Sequence, residues 1–316
     1  MRKIFYGSIV VVFIGAILFL NFYSFFSSST TVSYQGQQFT IIPAYEGMVE
    51  YVEQARKSDE DEREKIFEKT VLEPFTKEFW GQTFDIYSSL PIQMIKDIDK
   101  LEESINLLKN SNATEIIAEA LKTSASYLSG PNIKVYVLAL DPDRRFEIEH
   151  MKGLYGIAYG NGNILIMIDP HSPWEELLPY LVAHEYHHEV VLGRIIGGYH
   201  DGTLLSTVII EGKADTFASI VYPEVVAPWT IALSYEEEKA VWEKMSVYLN
   251  IDTYGIVSKF QFGHSGLNIP QWSGYKVGYQ IMQDLLANEP ELTISEWTNM
   301  RNEEILRRSR FEERFN

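Results

Sequence analysis

The spacing of apolar residues changes character along the chain. From Ile4 to Phe26 the sequence is almost uncharged and continuously apolar, behind Arg2 and Lys3. From about Ile41 to Gly130 apolar residues recur every three or four positions, which predicts amphipathic helices. The charged "KSDEDERE" stretch breaks that pattern as an exposed face or turn, and Ile92–Leu108 and Ala113–Leu128 read as two further helices. "SGPN" then punctuates the chain. "IKVYVLAL", Ile133 to Leu140, is β-branched and apolar and reads as a strand. "GIAYGNGNILIMIDP" reads as a hairpin around Gly160-Asn161-Gly162-Asn163. Beyond Pro170 the helical period returns. One long helix is expected with Ser172 as N-cap, Pro173 in its first turn and Gly197-Gly198 as its stop. Others are expected at Leu204–Ile220, Tyr235–Tyr248, Gly274–Leu286 and Ile294–Arg307. No internal repeat is visible. The pattern predicts an α+β fold, mainly helical, with a small antiparallel or mixed β-sheet packed on the long helix.

The N-terminal apolar run would span roughly 30 Å as a helix, the thickness of a bilayer core. With the positive flank before it, residues 1–27 read as a transmembrane anchor that leaves the rest of the chain outside the cytoplasm. The alternative is a cleaved signal peptide, which would make the protein secreted. Residues 28–40 are polar and Ser/Thr-rich and read as a tether. Residues 41–130 then form a helical region and 131–316 the region that carries chemistry.

Composition narrows the chemistry. The 316 residues hold no cysteine, which excludes disulfides, thiolate nucleophiles and cysteine-ligated zinc. A net charge of −17 disfavours nucleic acid as a partner.

Within the long helix, "LVAHEYHHEV" places three histidines and two glutamates among apolar residues. His184 and His188 are four residues apart, so they project from one helix face and can share one metal ion. Glu185 lies beside the first of them, within reach of a water on that metal, in the His-Glu-x-x-His arrangement of zinc hydrolases. His187 points about 60° away from His184 and reads as a residue that supports the metal ligands from behind or as packing. A catalytic zinc needs a third protein ligand. Glu211, in the apolar "VIIEGKADTFASI", is the leading candidate, with His200 in "GGYHDG" as its competitor. Asp215 shares a helix face with Glu211 and could accept the free N–H of a zinc-bound histidine.

His184-Glu185-x-x-His188 followed by Glu211-x-x-x-Asp215 resembles the gluzincin metallopeptidases. "LVAHEYHH … IIEGKAD" more closely resembles a bacterial family of predicted zinc-dependent proteases first catalogued as a domain of unknown function. The likeness covers roughly Ile133 to Leu286 and implies a zincin-like core. It also implies zinc ligands at His184, His188 and Glu211, and a general base at Glu185. Tyr275-x-x-Gly278 is similar to a tyrosine motif of gluzincin aminopeptidases, which favours Tyr275 as the oxyanion donor over Tyr279 and His264. Gluzincins hold the substrate backbone along a sheet edge. Here that edge would be Gly156, Ile157, Ala158 and Tyr159, which otherwise form an ordinary hairpin strand. The expected function is a membrane-tethered zinc peptidase acting on peptide or protein substrates outside the cytoplasm. The alternative is a non-catalytic zinc-binding module. A third reading, an intramembrane protease, is disfavoured because the motif helix is too charged to span a bilayer.

Overall fold

Two nearly continuous apolar strands, β3 (Ile133–Ala139) and β5 (Asn163–Ile168), pair in parallel at the centre of the sheet. Both are covered on their two faces, which is why they lack the in–out alternation of half-exposed strands. In the computed structural model, residues 28–80, 91–194 and 202–315 are described. Among these, one five-stranded sheet has the order β1-β2-β3-β5-β4. β1 (Thr30–Tyr34) runs antiparallel to β2 (Gln37–Ile42), which is parallel to β3. β4 (Leu154–Ala158) pairs antiparallel with β5 and leaves its other side as a sheet edge.

Helices α1 (Met48–Ala55), α2 (Glu60–Phe67), α3 (Glu73–Trp80), α4 (Ile98–Lys109) and α5 (Ala113–Tyr127) separate the first two strands from β3. The short α6 (Arg145–His150) precedes β4. α7 (Leu178–Arg194) carries the charged motif and packs against β4 and β5, flanked by α5 and α8 (Leu204–Val221). α9 (Tyr235–Met245), α10 (Tyr254–Phe262), α11 (Ser273–Asn288), α12 (Ile294–Asn299) and α13 (Asn302–Ser309) complete the chain, with α11 and α13 both packed on α8. The fold is therefore the mainly helical α+β arrangement expected from the sequence pattern. Among the described residues no helix is long and apolar enough to cross a membrane. The expected anchor, residues 1–27, lies outside them.

Several local expectations differ from the structure. The polar stretch read as a tether is largely a hairpin. Gln35 and Gly36 both have positive φ, 46° and 87°, as a tight two-residue connection needs. Phe39, Ile41 and Ile42 are buried in the sheet, so this segment shares a core with β3. The helix expected from Ile92 begins only at Ile98, where the Asp97 side chain accepts from the Lys100 amide at 3.1 Å. Ser172 does not cap the motif helix. Its hydroxyl goes to Asp169 at 2.5 Å, and a 3-10 turn at Trp174–Glu176 precedes α7. The expected stop at Gly197-Gly198 lies outside the described residues. The helix expected over Ile294–Arg307 breaks between α12 and α13, where the buried Lys213 ammonium donates to the Thr298 and Met300 carbonyls at 3.1 and 2.8 Å.

The α8–α11 crossing decides where the site can form. A Cβ on Gly212 would lie 2.2 Å from the Gly278 carbonyl carbon, and one on Gly278 would lie 2.0 Å from the Val208 carbonyl oxygen. The two backbones touch, with Glu211 beside the contact on one helix and Tyr275 one turn before it on the other. No rotamer change relieves a clash with backbone. Gly278→Ala is therefore expected to lower unfolding stability by about 3 kcal/mol. Gly255→Ala, on α10 with nothing within 4 Å of the new Cβ, should be neutral or stabilising by about 0.5–1 kcal/mol. Urea unfolding of the two variants checks both.

Candidate metal centre

His184 and His188 lie one turn apart on α7 and face α8, which brings Glu211 to them. His184 Nε2 and His188 Nε2 are 3.0 Å apart, and Glu211 Oε2 is 3.3 and 3.4 Å from them. A tetrahedral zinc with ligands at about 2.0–2.1 Å would space those ligands by about 3.3–3.4 Å, so the triangle fits one ion. Among the described residues this is the cluster of three metal-ligating side chains. Glu211 Oε2 is buried and accepts no well-formed hydrogen bond. A buried carboxylate facing two imidazole lone pairs is the donor set a divalent cation satisfies. Burial alone would push the Glu211 carboxyl up, but His188 and His184 outweigh it and hold it at about 2.

Asp215, one turn after Glu211 and fully buried, fixes the first histidine. Its Oδ1 is 2.9 Å from His184 Nδ1. The same oxygen accepts from Trp229 Nε1 at 2.7 Å and from the Tyr180 hydroxyl at 3.2 Å. With Nδ1 as the donor to a carboxylate, the Nε2 lone pair is directed at the ligand triangle. Burial acts to lower the His184 pKa, yet Asp215 and Glu211 raise it well above its usual value.

Glu185 turns toward the sheet edge instead. A Cβ on Gly156 would lie 2.8 Å from its Oε1, so β4 approaches this carboxylate closely only because residue 156 has no side chain. A hydrogen bond from the Ala158 backbone supports it, and burial raises its pKa above the ordinary value. The strand's own pairing explains that backbone direction. Tyr159 N donates to Asn163 O, and Asp169 N to Gly153 O. The alternate residues Gly156 and Ala158 therefore turn their N–H and C=O groups to the free edge.

A cleft of about 560 Å³ joins these groups, lined by Gly156, Ile157 and Ala158, the three ligands, Glu185 and Tyr275. Burial, then Glu211, Asp215 and Glu185, push the Tyr275 hydroxyl well above its usual pKa. Tyr279 is absent from the lining, and His264 is exposed in a bridge with Ile269. Tyr159 follows β4 rather than belonging to it, and its ring packs edge-on to Phe79 at 4.9 Å. His187 lies apart from the ligands, between Trp297 and Phe217 at 5.4 and 5.3 Å, with Nε2 3.1 Å from Thr298 Oγ1. Those contacts pack α7 against α8 and α12. His200 lies outside the described residues.

Two contributors escaped the sequence reading. Glu189, the second glutamate of the motif stretch, accepts from the amides of Tyr159, Gly160 and Gly162 at 3.0, 2.9 and 2.8 Å. It fastens the β4–β5 turn to α7 and so holds the sheet edge beside Glu185. Trp229 anchors Asp215. Only the burial of a second acid in an apolar helix hinted at the first, and nothing local pointed to the second.

Asp215→Asn is expected to weaken zinc binding about 10- to 100-fold, read by competition with a chromogenic chelator. Glu189→Gln leaves one acceptor oxygen for three amides. A loss of about 1.5–3 kcal/mol in unfolding free energy is expected, measured by urea titration.

Comparison with known proteins agrees with this geometry. Residues 113–307 match the family described as predicted Zn-dependent protease (DUF2268). The chain is 25% identical over 274 residues to the uncharacterized protein YjfC of Bacillus subtilis strain 168, covering 77% of this chain and 89% of that protein. It is 27% identical over 204 residues to the uncharacterized protein YjaZ of the same organism, covering 61% and 74%. No solved structure matches. A matched span that covers more than half of the chain, and contains both histidines of the motif helix and the glutamate of its neighbour, makes this chain a member of the predicted Zn-dependent protease family DUF2268.

Proposed function

We propose that the protein is a zinc peptidase that hydrolyses peptide bonds with Glu185 as general base. The observation that carries this reading is the placement of an ion-sized ligand triangle, a separate buried glutamate and a free strand edge on one cleft. A site that only stored zinc would have no use for Glu185, a buried carboxylate that lies beside the strand edge and takes no place in the ligand triangle. His184, His188 and Glu211 would hold the zinc. The chemistry that ion supplies is Lewis acidity, which acidifies a water and polarises a carbonyl.

The chain's own groups do the rest. The outward N–H and C=O groups of Gly156, with the Ala158 carbonyl, receive an extended peptide as an added strand. That addition sets the peptide's backbone beside Glu185. Glu185 accepts the proton of the attacking water and delivers it to the leaving amine. Tyr275, kept protonated by burial and by the surrounding carboxylates, donates to the developing oxyanion. Asp215 keeps His184 in the tautomer that leaves Nε2 free. With Ile4–Phe26 as its anchor, the enzyme works at the outer face of a membrane.

Glu185→Gln should retain about one zinc per chain by elemental analysis while peptide hydrolysis falls about 10²–10⁴-fold. Activity that survives the change would remove Glu185 from the mechanism. A reporter fused after Asn316 should be active only outside the cytoplasm; activity inside would reverse the topology.

A further inference from the structure

One end of the cleft is built from aromatic rings. Phe146 from α6 and Trp272, the residue before α11, approach from opposite walls with ring centroids 5.3 Å apart. Trp272 is also 6.2 Å from Trp229, whose indole N–H is held by Asp215. Tyr155 and Met151 line the same end. Phe146, Met151, Tyr155 and Trp272 are half-buried, so each keeps surface to offer a ligand.

The charges at this end cancel. Arg144 pairs with Glu147, and its guanidinium lies over the Tyr155 ring at 4.4 Å. His150 is exposed and edge-on to Trp272. Glu211 faces His184 and His188, and Glu185 lies against Gly156, beside the rings and not among them. An incoming charged side chain would find no unpaired partner among the aromatic rings, whereas an apolar one would find a broad surface.

Trp272 carries a second sign. Its φ of 61° and ψ of 17° are left-handed, a conformation a bulky side chain rarely adopts. Its side chain makes no capping bond to α11. Glycine would suit that backbone better, so a change to glycine removes the indole ring without straining the chain.

We propose, resting on the peptidase reading, that Phe146, Met151, Tyr155 and Trp272 form the specificity subsite for a large apolar or aromatic side chain next to the cleaved bond. The enzyme then selects peptides at such residues and discriminates against small or charged ones at that position.

The test uses the zinc-loaded full-length protein in detergent. A random peptide library is digested and the cut sites are read by mass spectrometry. Phe, Tyr, Trp, Leu or Met should be enriched at one position flanking the cut. In the Glu185→Gln background, a peptide with Phe at that position should bind on the order of tenfold more tightly than its Ala counterpart. Adding Trp272→Gly, which suits the backbone, or Phe146→Ala should bring that ratio close to one. Cleavage without enrichment, or a ratio unchanged in both variants, overturns the subsite. No cleavage and no binding of any peptide would overturn the peptidase reading and the subsite with it.

Discussion

The site depends on the burial of one ionised carboxylate against two imidazoles across the α7–α8 interface. Both histidines are buried, Glu211 is half-buried with its Oε2 shielded from solvent, and the ligand atoms stand 3.0 to 3.4 Å apart. Without a metal ion between them, the group must take up a proton in its place, which is why Asp215 and Glu211 push the His184 pKa up against the effect of burial. The fold brings these groups together through the packing of α8 on α7, with α11 seated against α8 at the Gly212–Gly278 contact. A metal ion is the simplest physical reason for the fold to retain that arrangement.

The same constraint accounts for the charge carried by α7. At about 100° per residue, its polar side chains leave the helix in different directions, and each meets its own partner. His184 and His188 face α8. Glu185 faces the bare backbone of Gly156. Glu189 takes three amides of the β4–β5 turn. His187 stacks on Trp297 and Phe217. A core helix can hold five ionisable groups because none of them is left to face hydrocarbon alone, and two of the partnerships fix the sheet edge relative to the base.

What could be read from sequence follows from how local each relation is. His184, Glu185 and His188 stand within five residues, so helical geometry alone places them. The Glu211–Asp215 pair is equally local, and only its approach to the histidines needed the fold. Glu189 was visible as a residue but not as a clasp, since its partners lie some thirty positions away in a turn. The Thr30–Ile42 hairpin was hidden because serine, threonine and glutamine on its exposed faces resemble linker composition. Trp229 and Trp272 gain their importance from neighbours that no periodicity reveals. Tyr275 was favoured in the sequence only through a short motif resemblance, and the cleft lining includes it but neither Tyr279 nor His264.

X-ray absorption at the zinc edge of the purified protein tests the central claim most directly. Two imidazole nitrogens at about 2.0–2.1 Å, with oxygen ligands at about 2.0–2.2 Å and no sulfur, are expected, and one nitrogen should vanish in His188→Ala. A zinc shell without paired imidazoles, or a folded protein that takes up no zinc, would contradict the account.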